Sequence, residues 1–444
     1  MTLFSTSFLY ASSASLSLSE AIEILKSENL EIKNASLDLN SAKEDAKTAS
    51  GNHWGKLDFI QDFATSDDAG NVFGFKLSSR EATFGDFGFS DFDMLNPNIL
   101  NVQPHDLNYP DSRNYFQSKL KYEVPVFTGF KISSYVDIMN SMTKIKKLDK
   151  EQVINEKIYQ IRKSFYDMAL LRQSAKNLNV ILQNITVLED MTNNMIEVGY
   201  AKKVDLLEVT AKKGNVERLV AQMESNQKLL YHYISFLLNQ KITDIQTPSS
   251  DIVVPPYSNE EILNNNLDIQ KANNGLDIRK SMINVSEASY YPMIGAFAEV
   301  ATADNTFLGD ASDHKSYTLG ARLTWNIFNG GIDGANLEKS RIEHLKTKTQ
   351  VQLAKSGIEL NIEKIRTEIQ TYDNDILSLQ KELALADEIY KNYEGRYKEK
   401  LSSMSDVIIK QSEQIQKILQ LQQVKNKRNE RIFALEKLAN GEQQ

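Results

Sequence analysis

Two kinds of hydrophobic pattern share this chain. One has period two. In residues 317–331, YTLGARLTWNIFNGG, Tyr317, Leu319, Ala321, Leu323, Trp325 and Ile327 fall on one side, and Thr318, Gly320, Arg322, Thr324 and Asn326 on the other. In residues 115–130, YFQSKLKYEVPVFTGF, Phe116, Leu120, Tyr122, Val124 and Val126 alternate with Gln117, Lys119, Lys121 and Glu123. Both runs predict strands with one apolar face. Residues 54–63 (WGKLDFIQDF) and 291–301 (YPMIGAFAEVA) are weaker strand candidates and natural partners for them.

The other pattern is helical. Ile358, Ile362, Ile365, Ile369, Tyr372, Ile376, Leu379, Leu383, Ala386, Tyr390, Tyr393 and Tyr397 follow a 4-3 spacing for forty residues, which is a coiled-coil seam. Ile154, Ile161, Met168, Ala175 and Leu182 keep a seven-residue step in the first half. A helix over 129–196 would be roughly 100 Å long at ~1.5 Å per residue.

The strand, the Phe-x-Gly that ends it and the helix beyond occur twice. Val126-Phe127-Thr128-Gly129 answers to Ile327-Phe328-Asn329-Gly330, 201 residues later. SENLEIKNASLDL (27–39) resembles NNNLDIQKANNGL (264–276) at an offset of 237, and KKVDLLEVTAKK (202–213) resembles SMSDVIIKQSEQ (403–414), again at 201. The chain therefore reads as a tandem duplication. The difference in offset places a 36-residue insertion in the first half, in the Gly/Phe/Asp/Asn-rich stretch near 73–112.

The predicted organisation follows: a first repeat over 18–240, with a helix at 18–53, a hairpin at 54–127 carrying a long loop at 64–113, and long helices at 128–240. A linker covers 241–257. The second repeat spans 258–440, with a helix at 258–290, a hairpin at 291–328 and long helices at 329–440. Residues 1–17 are apolar, small and uncharged and read as the remnant of a signal peptide. The fold class is α+β, mainly α.

Four strands do not close a barrel, because about eight is the smallest number that does. Two placements stay open: a soluble half-buried sheet, or strands pooled from several chains into one transmembrane barrel, whose strands need ~9–11 residues of the same alternation. In the second case the glycines permit the sharp strand-to-helix turn, and Tyr122, Tyr317, Leu319, Leu323 and Trp325 face lipid.

Composition narrows the function. A net charge of −8 offers no basic surface for nucleic acid. Charged residues make up 25% and mean hydropathy is −0.41, and no apolar run approaches the ~18 residues of a spanning helix. There is no cysteine, hence no disulfide, thiolate metal site or lipidated Cys. The five histidines are scattered without metal-ligand spacing, and no nucleophile elbow, phosphate loop or dinucleotide fingerprint is present. No enzyme, cofactor or metal site is expected.

Strand pairs set between long helices, duplicated, with VPVFTGF and WNIFNGG at the junctions, resemble the TolC family of outer-membrane efflux and type I secretion channels. The resemblance covers about residues 18–440. It implies a homotrimer in which four strands per chain make a 12-stranded transmembrane barrel above an α-helical periplasmic tunnel. It also implies a periplasmic adaptor and an inner-membrane RND or ABC transporter as partners. VGYAKKVDLL (198–207) is similar to the family's tunnel tip, placing Gly199 and Asp205 there. The second copy, YKEKLSSMSDVI (397–408), keeps Tyr397 and Asp406 but has Lys400 at the glycine position and Ser402 where well-known members place an arginine that locks the closed tip. Lys400, Lys202 or Lys203 stand as substitutes for that arginine. An N-cap role is the plain alternative for both aspartates, and Tyr390, Tyr393 and Tyr397 read first as seam packing. The expected function is the outer-membrane exit duct of a small-molecule efflux pump. The alternatives are the exit of a type I protein secretion system or a structural coiled-coil protein without a channel.

Overall fold

The alternating and helical stretches become four strands and ten α-helices among the described residues of the computed structural model, which describes residues 15–248, 252–307, 309 and 312–440. The signal-like stretch lies almost wholly outside them, as does the middle of the linker. In chain order the elements are α1 (Leu18–Glu28), α2 (Leu30–Gly51), β1 (Lys56–Ser66), α3 (Ala69–Ser78), α4 (His105–Asn108), β2 (Arg113–Phe127), α5 (Lys131–Glu197) and α6 (Lys203–Leu238). There follow α7 (Asn259–Asn265), α8 (Leu267–Glu287), β3 (Met293–Asp304), β4 (Lys315–Thr324), α9 (Ile332–Lys398) and α10 (Met404–Ala439). Each boundary of α5 and α6 recurs 201 residues later in α9 and α10, so the duplication extends to the helix ends. No described helix is long and apolar enough to cross a membrane.

The chain divides into a helical unit (Met1–Ala42, Thr143–Gly275, Lys348–Gln444) and a sheet-bearing unit (Lys43–Met142, Leu276–Thr347). The helical unit has three cores. One gathers Ile185 and Leu188 of α5, Val209 and Val216 of α6, Tyr390 and Tyr397 of α9, and Val407 and Ile415 of α10. The other two are copies of each other: Ile161, Ile234 and Leu238 occupy one, and their duplicates Ile362, Leu435 and Ala439 the other. Every position of the Ile358–Tyr397 seam is buried or half-buried. A second line on α9, Leu353, Leu360, Leu377 and Leu385, is exposed on the single chain.

The predicted helices 18–53 and 258–290 are each interrupted, by Asn29 and Asn266. Asn29 has extended backbone, which stops α1, and its Oδ1 accepts from the N–H groups of Glu31 and Ile32 at 2.9 and 3.1 Å, which starts α2. Its Nδ2 donates to the Leu237 carbonyl at the end of α6 at 2.8 Å. Asn266 does the same for Asp268, Ile269 and the Leu438 carbonyl of α10. An amide that satisfies two helix ends at once explains why both side chains are buried.

In the other unit the sheet is a meander, β1-β2-β3-β4, antiparallel throughout, with β1 and β4 as open edges. Register assigns its two faces. Leu57, Tyr122, Ala298 and Leu319 lie in one row, and Phe59, Leu120, Val300 and Tyr317 in the next, so one face is apolar from edge to edge. The opposite face carries Lys56, Asp58, Lys121, Glu123, Glu299 and Arg322, with ion pairs such as Lys121–Glu123 at 2.7 Å. The 64–113 stretch expected as loop is more ordered than its composition suggests. β1 runs on to Ser66, and a ten-residue helix, α3, follows with Asp68 capping it through the Asn71 N–H. At the far end β4 stops at Thr324, so Trp325, Ile327 and Phe328 lie beyond the strand rather than within the hairpin.

Candidate functional site: the apolar sheet face and the helical tip

The helix turns predicted as a tip form where α5 gives way to α6 and α9 to α10. Gly199 has φ +77°, and the Tyr200 N–H returns to the Met195 carbonyl at 2.8 Å, closing α5. Lys400, at the duplicate position, keeps the left-handed conformation with φ +64°. That backbone costs about 1–2 kcal/mol for any residue but glycine. Part of the cost is offset where the Lys400 ammonium rests 3.2 Å from the centroid of the Tyr200 ring on the other turn, a cation–π contact. Two further bonds join the turns: Ser405 Oγ donates to Glu208 at 2.6 Å, and Thr192 shares a hydrogen bond with the buried Tyr397 hydroxyl at 3.3 Å. Burial pushes the Tyr397 phenol above its usual range.

Both aspartates stand at the third position of their helices and bond back to the N-cap residues, Lys202 and Ser403. Asp205 accepts the Lys202 N–H at 2.7 Å. Asp406 closes a reciprocal box with Ser403: its Oδ2 accepts from the Ser403 hydroxyl at 2.7 Å and N–H at 3.2 Å, while Ser403 Oγ accepts the Asp406 N–H. The Ser403 hydroxyl, and then its N–H, hold the exposed Asp406 carboxyl below the ordinary range. The N-cap role weighed for both aspartates falls instead to Lys202 and Ser403, with the aspartates three residues on at N3; the Lys400–Tyr200 contact was missed because nothing in one turn's sequence says which ring the other turn presents.

A backbone experiment separates the two turns. A Cβ at Gly199 meets nothing within 4 Å, so Gly199→Ala carries the conformational cost alone, about 1 kcal/mol. Lys400→Gly removes that strain together with the cation–π contact, terms of similar size, and is expected to be near neutral. Hydrogen exchange of the tip amides should rise about fivefold in the first variant and stay within twofold in the second.

At the strand-to-helix junctions Gly129 (φ +61°) and Gly330 (φ +69°) supply the turn. A Cβ on Gly129 would sit 2.8 Å from the Ala288 carbonyl, so only glycine fits, whereas Gly330 faces open space. Phe127 packs edge-on against Phe130 and near Tyr291; its duplicate Phe328 is exposed. The two junctions thus share a backbone and differ in packing.

The five residues expected to face lipid come together on or beside one surface. Tyr317, Leu319 and Leu323 are 78%, 70% and 62% exposed on the apolar face, and Tyr122 stands beside them with its hydroxyl donating to the Trp54 carbonyl at 2.7 Å. Trp325, just past β4, donates from Nε1 to the Tyr290 carbonyl at 3.2 Å. Trp54, Tyr290, Tyr291 and Trp325 form an exposed aromatic group at the end of the sheet from which the helices depart, and Phe63, Phe116 and Phe307 cluster at the hairpin end. Aromatics at both ends of an apolar band are what a bilayer interface selects. On the polar face a cleft of about 1420 Å³ is lined by Lys121, Glu123, Glu299 and Arg322 together with α2 and the start of α5. No described cluster of His, Asp or Glu is arranged to hold a metal.

The sequence model of the outer membrane efflux protein family matches residues 259–441, the second copy of the duplication. Nodulation protein T of Rhizobium leguminosarum bv. viciae is 23% identical over 231 residues, which is 49% of this chain; the match spans about half (47%) of that relative's length. Among solved structures, CusC superposes with a TM-score of 0.79 at 13% identity, over 95% of this chain and 91% of that one. The outer membrane protein VceC of Vibrio cholerae gives 0.77 at 14%, over 95% and 96%, and the open MtrE outer membrane channel of Neisseria gonorrhoeae 0.74 at 13%, over 95% and 88%. At such identities the superpositions establish the fold, and they do so for both copies. The second half of the chain thus matches the outer membrane efflux protein family in sequence, the first half repeats it, and the fold over nearly the whole length is that of the CusC, VceC and MtrE structures.

Proposed function

We propose that three copies of this chain join edge to edge, β4 of one against β1 of the next, into a 12-stranded barrel. Its helices form the periplasmic duct of a tripartite pump that exports small molecules. The observation that carries the reading is the sheet itself: one face apolar and exposed, the other charged, and two edges without strand partners among the described residues. Open edges are not tolerated in hydrocarbon, so a lipid-facing sheet must close on copies of itself. The exposed line Leu353, Leu360, Leu377 and Leu385 supplies a helical contact for the same assembly. A periplasmic adaptor and an inner-membrane transporter of the RND or ABC type would engage at the tip, where Asp205 and Asp406, threefold repeated, surround the pore mouth and favour cations.

The test is single-channel recording in planar bilayers. Wild type is expected to conduct with cation preference, and Asp406→Asn to lose at least half of that preference. Because its hydrogen bonds depress the Asp406 pKa, the carboxylate keeps its charge as pH falls through the ordinary aspartate value of ~3.9. Cation preference should therefore persist at pH 4 and vanish only at lower pH. Equal selectivity in wild type and Asp406→Asn would remove the aspartate from the pore mouth.

A further inference from the structure

The insertion that distinguishes the first repeat from the second has a fixed address on the sheet. In β2 the odd-numbered residues from Arg113 to Glu123 belong to the charged face, in register with Ala301 and Ala303 of β3 and with Ser316 of β4. α3 packs on that face. The Phe75 ring stacks on Tyr115 at 4.2 Å with 12° between planes. Arg113 donates to Ser79 Oγ at 3.0 Å and pairs with Glu81. Leu77, Ser78 and Arg80 border one small cleft with Gln117, Ala303 and Ser316. Val72, Ser79, Ala301 and Ala303 are buried, although they lie at the rim of a sheet that is open elsewhere. The segment beyond α3 is tied down in turn: Phe87 packs edge-on against Phe73, and Asp86 accepts from Lys76 at 2.5 Å and from the Thr83 N–H at 2.7 Å. Those bonds, the Lys76 ammonium first, bring the Asp86 carboxyl down to about 2.

We infer that residues 67–112 are an inward-folded plug that narrows the outer mouth of the channel and sets which solutes pass it, an inference that rests on the barrel reading. If the apolar face meets lipid, the charged face is the lumen wall, and α3 lies inside it at the end remote from the helices. Size decides how much this matters. A barrel of 12 strands ~4.8 Å apart, tilted by ~40°, is roughly 24 Å across. A helix with its side chains is ~10 Å thick. Three copies of α3 against the wall therefore leave little open bore. Beyond α3 the segment presents Phe84, Phe89, Met94, Leu95 and Leu100 to solvent, the last two more than 90% exposed, and residues 67–112 as a whole carry eight carboxylates against Lys76 and Arg80. The apolar side chains find cover against the same segment of the other two protomers, and the acidic excess disfavours anions at the exit.

Two variants test this in planar bilayers, with polyethylene glycols of increasing radius as the size probe. In one, residues 69–110 are replaced by a short glycine–serine turn; in the other, Phe75→Ser with Glu81→Gln frees α3 from Tyr115 and Arg113 without shortening the chain. Conductance is expected to rise at least threefold in the first and to become larger and noisier in the second, and both should admit polymers that wild type excludes. If wild type conducts and both variants show its conductance and its exclusion size, the plug is wrong while the channel stands. A wild-type trimer that inserts no conducting pore at all overturns the channel, and the plug with it.

Discussion

Leu319→Arg is expected to abolish the assembled protein in membranes, while Thr318→Arg, one residue away, leaves it intact. Leu319 stands mid-strand in the row Leu57–Tyr122–Ala298–Leu319, in the middle of the apolar face. A lipid-facing arginine at the bilayer midplane costs ~2–4 kcal/mol per chain. The proposed trimer contains three, so the total rivals the ~5–15 kcal/mol by which ordinary domains are stable. Thr318 points to the other face, where it is paired in register with Glu299, and an arginine there gains a carboxylate neighbour in an aqueous lumen. The measurement is the heat-modifiable gel shift of the trimer refolded into phospholipid vesicles, followed across urea. Equal tolerance of the two arginines would falsify a lipid-facing assignment for this surface, since a soluble sheet exposed on both faces accepts either.

The amino-acid pattern alone contains this contrast, because period two divides residues between faces whatever the strand packs against. Register, too, is implicit in which runs alternate, and the helix pair boundaries in the 201-residue offset. What the pattern leaves out has physical causes. The helix α3 hides in a segment dominated by glycine, phenylalanine and aspartate because ten residues with an Asp68 cap fold when they have a wall to pack on, and local propensity carries no record of that wall. Of the tip residues, Asp205 and Asp406 are legible as first-turn acids after a turn, although they take N3 rather than the N-cap weighed for them. The role of Lys400 is not, since its left-handed backbone breaks the rule that glycine takes such positions, and its partner ring comes from a helix turn 200 residues away. The interruption at Asn29 is written twice in the sequence, in SENLEI and NNNLDI, and needs only the question of why an asparagine should precede Leu30 and Leu267 in both copies.

That asparagine pair carries the second large effect. Asn29→Ala is expected to destabilise the helical unit by about 2–4 kcal/mol, and Asn266→Ala by a similar amount. The lost cap on α2 accounts for ~1 kcal/mol. The remainder comes from the Leu237 carbonyl, whose partner disappears from a site where the asparagine is 3% exposed, so water cannot easily replace it. An orphaned buried acceptor costs ~1–3 kcal/mol. Asn29→Ser separates the terms: its hydroxyl still accepts from the α2 amides but is too short to reach Leu237, so about 1–3 kcal/mol should be lost. The two asparagines share no hydrogen-bond partner, so the double alanine variant should lose about the sum of the single losses. Guanidinium unfolding followed by helical circular dichroism reads all four variants. Single-alanine losses below about 0.5 kcal/mol would mean that the asparagines merely occupy helix breaks set by other contacts. A double loss well short of additive would mean that the duplicated joints open as one, a coupling that the separate partners of each amide argue against.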